Sequence, residues 1–103
     1  MSKDEQAIEA EIQKKGKTGP RITPDMLDAE IVDEDYHVFP RTQMTVCVLT
    51  LKNGFTVIGK SACADPANFD ADLGRMIARD GARNKIWPFL GFRLKDQIAA
   101  GEV

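Results

Sequence analysis

Two runs of strand-forming residues, Thr45-Val46-Cys47-Val48-Leu49-Thr50-Leu51 and Phe55-Thr56-Val57-Ile58-Gly59-Lys60, stand on either side of Lys52-Asn53-Gly54. β-Branched and aromatic side chains suit a pleated, half-buried surface, and Asn-Gly supplies the positive φ angles of a tight hairpin turn. The pattern predicts a β-hairpin. In its first run Cys47, Leu49 and Leu51 point one way while Val46 and Val48 point the other, so both faces are partly apolar. One face needs a helix and the other needs a different cover. A hairpin alone is marginal in water. Tyr36-His37-Val38-Phe39, closed by Pro40, reads as a third extended piece, and a second copy of the chain is the other candidate to pack there.

Helical signals flank the hairpin on both sides. Upstream, Ala7, Ile8, Glu11 and Ile12 fit a short surface helix that ends before Gly16 and is expected to fray. Beyond Gly16-Lys17-Thr18-Gly19-Pro20, Thr23 is placed to cap a short helix with Pro24 at its first position, where the missing N–H costs nothing. Met26, Leu27 and Ile31 would face inward from it. Downstream, Asn68 or Asp70 caps a helical run from Asp70 to Trp87, in which Leu73, Met76, Ile77 and Ala82 recur at core-facing spacing. Gly74, Ala78 and Gly81 also lie close to one side, three or four residues apart, where small residues admit a second backbone at a helix-propensity cost of about 1 kcal/mol per glycine. Pro88 is expected to break or kink the helix, and Phe89 to Ala100 to form another with Phe89, Leu90, Leu94 and Ile98 inward.

The expected class is therefore α+β: a small antiparallel hairpin or three-stranded sheet, then a C-terminal helical hairpin, preceded by a partly flexible helical N-terminal arm. Residues 1–35 read as the arm and 36–103 as the compact domain. The charge divides in the same sense. Residues 1–41 carry 6 Lys+Arg against 10 Asp+Glu, and residues 42–103 carry 8 against 6, for a net charge of -2 over the 103 residues. That balance disfavours a nucleic-acid partner bound by bulk electrostatics and leaves room only for a local anion site. No apolar run approaches the roughly 20 residues of a membrane span, and the charged start has no signal-peptide core, so the expected location is the cytoplasm. Two cysteines, Cys47 and Cys63, and one histidine, His37, do not make a metal cage, and no cofactor is expected. Neither Ser61 nor Cys63 sits beside a base, so no catalytic residue is assigned and the chain is read as non-enzymatic.

The chemistry that remains is basic and aromatic. Arg75, Arg79 and Arg83 fall at i, i+4 and i+8 on one helical stripe, with Lys85 and Arg93 nearby. Guanidinium groups in such a row can hold a phosphate-bearing ligand through planar bidentate contacts, and Trp87 or Phe92 beside them can stack a base. The ligand-binding candidates are thus Arg75, Arg79, Arg83, Lys85, Trp87, Phe92 and Arg93. The competing reading is a solvated charged face, partly neutralised by Asp72 and Asp80, and a tryptophan that serves the core.

The segment Thr45 to Val57 with its Leu51-Lys52-Asn53-Gly54-Phe55, then Gly59-Lys60-Ser61-Ala62-Cys63, Asp65-Pro66 and Asn68-Phe69-Asp70, resembles the small tailed-bacteriophage proteins of the gene product forty-nine and gene product sixty-six family. So do Lys85-Ile86-Trp87-Pro88, Gly91-Phe92-Arg93-Leu94, Pro20-Arg21-Ile22-Thr23-Pro24 and His37-Val38-Phe39-Pro40. The resemblance implies a phage or prophage origin and expression in the bacterial cytoplasm. The layout is also similar to phage anti-defence sponges that disarm Thoeris systems, which bind a cyclised ADP-ribose signal, without turning it over, at sites shared between subunits. By that likeness the protein is expected to be a homo-oligomeric, non-enzymatic sponge for a nucleotide-derived signal, cyclised ADP-ribose or a cyclic oligonucleotide. The alternative is an accessory module that uses its acidic N-terminal segment to bind a host protein.

Overall fold

A computed structural model describes residues 3–103. The chain runs through α1 (Lys3–Lys14), α2 (Pro24–Glu30), β1 (Ile31–Val38), β2 (Met44–Leu51), β3 (Thr56–Ala62), a 3-10 turn (Pro66–Asn68), α3 (Ala71–Asn84) and α4 (Ile86–Ala99). The three strands form one antiparallel sheet in the order β1-β2-β3. The class is α+β, as the sequence predicts.

The hairpin stands where the two strand-forming runs place it, with Cys47 opposite Gly59 and Leu49 opposite Val57. Its turn differs from the expected one. Gly54 has φ +87°, whereas Asn53 is not among the positive-φ residues. The Gly54 N–H donates to the Leu51 carbonyl, and the Leu51 N–H to the Phe55 carbonyl. This is a three-residue loop with a left-handed last residue. Asn53 acts through its side chain, whose Oδ1 accepts from the Phe55 N–H at 2.9 Å. The third strand is longer than Tyr36 to Phe39, because the acidic run Asp33-Glu34-Asp35 also pairs, opposite Thr50, Leu49 and Val48. Charged residues are at home there: β1 is an edge strand, where they also discourage unwanted pairing.

The helix α3 lies on the face of Cys47, Leu49, Leu51 and Val57, and closeness is its main feature. A Cβ on Gly59 would sit 2.0 Å from the Ala78 carbonyl oxygen and 2.3 Å from the Ala82 nitrogen. One on Gly74 would sit 2.9 Å from Thr45 Oγ1. Helix backbone thus touches strand backbone where Ala78 and Ala82 meet Gly59, and Gly74 sits against the side chains of Thr45 and Ser61. This seating reverses part of the expected burial. Ala82 is buried as predicted, but Leu73, Met76 and Ile77 are 50%, 60% and 49% exposed, because the small-residue side has taken the sheet and turned the bulky side away.

The core consists of Leu27, Cys47, Leu49, Leu51, Val57, Ala78, Ala82, Ile86 and Leu90, with Ile22, Ile31, Tyr36 and Trp87 packed against it. In α2 the Thr23 hydroxyl accepts from the Met26 N–H at 3.2 Å and Pro24 opens the helix, yet only Leu27 of the three predicted inward residues is fully buried; Ile31 is half-buried and Met26 exposed. Asp70, not Asn68, caps α3, through the Leu73 N–H. The break before α4 falls at Lys85 rather than Pro88, which sits in the first turn of α4 where proline removes no helical hydrogen bond. Lys85 keeps right-handed helical angles, φ -73° and ψ -16°. In place of the expected helical hairpin, α3 and α4 therefore form one long bent helix. Of its predicted inward residues Leu90 is buried and Leu94 half-buried, while Phe89 and Ile98 are exposed. The molecule is correspondingly elongated, with a radius of gyration of 16.6 Å against about 13 Å for a compact chain of this length.

Candidate functional site

Helical spacing lines up Arg75, Arg79 and Arg83 beside the buried small-residue stripe of α3, and each guanidinium meets a carboxylate from a different element. Arg75 pairs with Asp72 on the same helix. Arg79 Nε donates to Glu34 Oε2 of β1 at 2.6 Å. Arg83 is the most engaged: Nε and Nη2 donate to the two carboxylate oxygens of Asp28 on α2 at 2.7 and 3.2 Å, and Nη1 donates to Glu5 Oε2 on α1 at 2.6 Å. Its side chain is only 11% exposed. Arg93, on α4, donates to Glu30 of α2 at 3.2 Å. The planar fork of arginine suits such bidentate pairing.

These pairs shift the groups in the direction that tightens them. Hydrogen bonding from Arg83 holds the Asp28 carboxyl below its ordinary value, and the bonds to Asp28 and Glu5 hold the Arg83 guanidinium above its own. The bond to Glu34 raises Arg79 likewise. Arg83 thus joins α1, α2 and α3, and a second pair, Arg21 with Glu9, ties α1 down again. The acidic arm is the partner of the basic stripe. The spacing of the arginines was visible in the sequence, but carboxylates between 45 and 78 residues away were not.

Of the seven candidate ligand-binding residues, Arg79, Arg83 and Trp87 line one open cleft of about 910 Å³, together with Asp4, Glu5, Ile8, Asp28, Met76, Asp80 and Asn84. Arg75, Lys85, Phe92 and Arg93 are not among its walls. Lys85 is exposed at the bend, Phe92 is 72% exposed on α4, and Trp87 gives part of its ring to the core. The cleft presents four carboxylates against two guanidinium groups.

A smaller hollow of about 300 Å³ lies on the other flank of α3, walled by Gln43, Ser61, Ala62, Cys63, Asn68, Phe69, Asp70, Leu73, Gly74 and Ile77. The sequence contained its signal, a second apolar stripe on α3, but helical periodicity assigned that stripe to the core. Around it the reactive side chains are tied down. The Ser61 hydroxyl donates to the Gly74 carbonyl at 2.8 Å, and Cys63 Sγ lies 3.4 Å from the Asp65 carbonyl oxygen. His37 stands edge-on to Phe39 at 4.6 Å. Burial pushes the Cys47 thiol up. Among the described residues no group of three or more His, Cys, Asp or Glu is placed to hold a metal ion, and no helix is long and apolar enough to cross a membrane.

The model of the phage protein (N4 Gp49/phage Sf6 gene 66) family matches residues 22–98. The chain belongs to that family. The matched stretch takes in α2, the whole sheet, α3 and nearly all of α4, so both the cleft arginines and the apolar hollow of this phage protein lie within it, while α1 lies outside. Comparisons with curated proteins and with solved structures gave no match.

Proposed function

We propose that this phage protein is non-enzymatic and acts by docking a host protein on the outer flank of α3. The observation that supports this is the orientation of α3, which gives its small residues to the sheet and leaves Leu73, Ile77 and Phe69 exposed around an apolar hollow of about 300 Å³. A hollow of that size takes one large apolar side chain, and buried anchors of this kind carry most of the affinity in protein interfaces. The test is a photo-crosslinking residue at Ile77 in the bacterial host, with one at Lys95 as control. The expected result is a discrete crosslinked host protein at position 77 only, lost when Leu73→Asp is added. No product at position 77, or the same product from both positions, sinks the reading.

A second reading, the nucleotide sponge, is favoured by the cleft that brings Arg79, Arg83 and Trp87 together. There the arginines would take a pyrophosphate and the indole a base. Glu5 and Asp28 already occupy Arg83, so a ligand would have to displace them, which weakens this reading against the first. Calorimetric titration with cyclised ADP-ribose species and cyclic dinucleotides separates the two: binding heat abolished by Arg79→Ala would promote the sponge.

A further inference from the structure

The sheet has two free edges, and they are defended differently. β1, at one edge, carries Asp33, Glu34 and Asp35 and a register break between Ile31 and Asp33. Charge and irregularity of that kind keep foreign strands off an edge. β3, at the other, holds Lys60 as its only charged residue, has no proline and keeps an unbroken register with β2.

The backbone of β3 faces outward in a defined pattern. In an antiparallel pair alternate residues exchange both hydrogen bonds with the neighbour, and the residues between them turn their N–H and C=O away. The Leu51 N–H donates to the Phe55 carbonyl at 2.8 Å, which sets the phase. Val57 and Gly59 bond to Leu49 and Cys47 of β2, so Thr56, Ile58 and Lys60 present their backbone groups at the free edge. Among the described residues no strand lies against them.

Above that edge stands an apolar overhang. α3 lies over β2 and β3, and Arg79 reaches across the sheet to Glu34 on β1. Ile77 is two residues before Arg79, about 200° round a helix of 3.6 residues per turn, and so projects the other way, past β3. Leu73 lies one turn earlier on the same side. The hollow of about 300 Å³ opens between these two residues and the end of β3 at Ser61, Ala62 and Cys63. A strand laid against β3 would find backbone partners beside it and an apolar roof over one face. Its other face would run beside Ile58 and Lys60, and Lys60 has no ion-pair partner among the described residues.

We infer that the host protein docks by adding an extended segment to the free edge of β3, with apolar side chains at alternate positions under Leu73 and Ile77 and a carboxylate between them beside Lys60. In strand addition the main-chain hydrogen bonds supply affinity, and pockets for alternate side chains supply specificity. This inference rests on the proposed docking at the outer flank of α3 and specifies the form of the docked segment.

The probe is a display library of short random peptides panned on the full chain, followed by a synthetic copy of the peptide selected. Selected sequences are expected to alternate apolar and polar residues, with acidic residues enriched among the polar ones. The bound peptide should slow hydrogen exchange at the Ile58 and Lys60 amides at least about tenfold and leave Val57 and Gly59, already bonded to β2, unchanged. Methylating the peptide nitrogens that face β3 should weaken binding at least about tenfold, whereas methylating the alternate set should not. Ile58→Pro removes one outward donor at an edge position that tolerates proline and should weaken binding too. Circular dichroism checks its fold, and the methylated peptides decide alone if it does not fold. Selected peptides without alternation, no protection at Ile58 and Lys60, or equal affinity for both methylated peptides would each overturn the inference. So would the same protection arising without peptide as protein concentration rises, which is pairing between two copies. A crosslink at Ile77 that persists undiminished in Ile58→Pro removes strand addition and keeps the docking flank, whereas no crosslink in the wild-type background removes the docking reading with it.

Discussion

Under α3 the sheet is built from residues small enough for backbone to meet backbone, with Gly59 against Ala78 and Ala82, whereas on the opposite face Val46 and Val48 are half-buried and Ile58 is exposed. Both faces are apolar, yet they solve different problems. The covered face gains dense intramolecular contact and tolerates no added atom. The open face has side chains of ordinary strand type, with Val46 and Val48 half-buried between their neighbours and Ile58 exposed. Apolar character alone therefore does not say which surface is core; the space above each residue does.

The sharpest way to break this contrast is Gly59→Ala. The added methyl has no room beneath α3, so the helix must lift, with an expected loss of about 3 kcal/mol, at the upper end for overpacking. Urea unfolding measures it, and a loss below about 1 kcal/mol would mean that the close seating of α3 is not required.

Next in size is Arg83→Gln, which leaves Glu5 and Asp28 without their guanidinium. The pairs are partly exposed, so the expected loss is about 1 kcal/mol, with faster hydrogen exchange in α1 as the specific sign of release. The same clamp predicts a pH effect. Because the folded Asp28 carboxyl is held below its unfolded value of about 3.9, its contribution is complete above that value and is lost as pH falls through the folded one. Acid titration of unfolding stability should show this component in wild type and not in Asp28→Asn.

On the covered face Thr45 Oγ1 is buried without a hydrogen-bond partner among the described residues. Thr45→Val is expected to stabilise the chain by up to about 1 kcal/mol, since it removes an unsatisfied polar group at constant shape; thermal unfolding of the two proteins decides it. Smallest is Ile58→Thr on the open face, expected to change the stability of the chain by less than about 0.5 kcal/mol in urea unfolding. A large loss of stability there would show that Ile58 belongs to the chain's own core.

Where the signal was local, the sequence was sufficient. The strand-forming runs around Asn53-Gly54 and the Thr23-Pro24 helix start depend on neighbours within a few residues, and each appears in place, while of the two caps offered for α3, Asn68 and Asp70, the structure uses Asp70. Recognition of the family also rested on contiguous segments and agrees with the match over residues 22–98. The candidate site was less legible. Spacing aligned Arg75, Arg79 and Arg83 and set Asp72 within a turn of them, but could not reveal that Glu34, Asp28 and Glu5 would meet Arg79 and Arg83.

By itself, then, the sequence determined the two hairpin strands, the start of α2, the apolar and the small residues of α3 and the two partly apolar faces of the sheet, because hydrophobic periodicity and capping are properties of neighbouring residues. Only the tertiary structure decided which stripe meets which face. Gly59 opens a slot that the small side of α3 alone can enter, and that steric choice turned Leu73, Met76 and Ile77 outward, brought Arg79 and Arg83 to the acidic arm and left Ile58 exposed on the opposite face of the sheet.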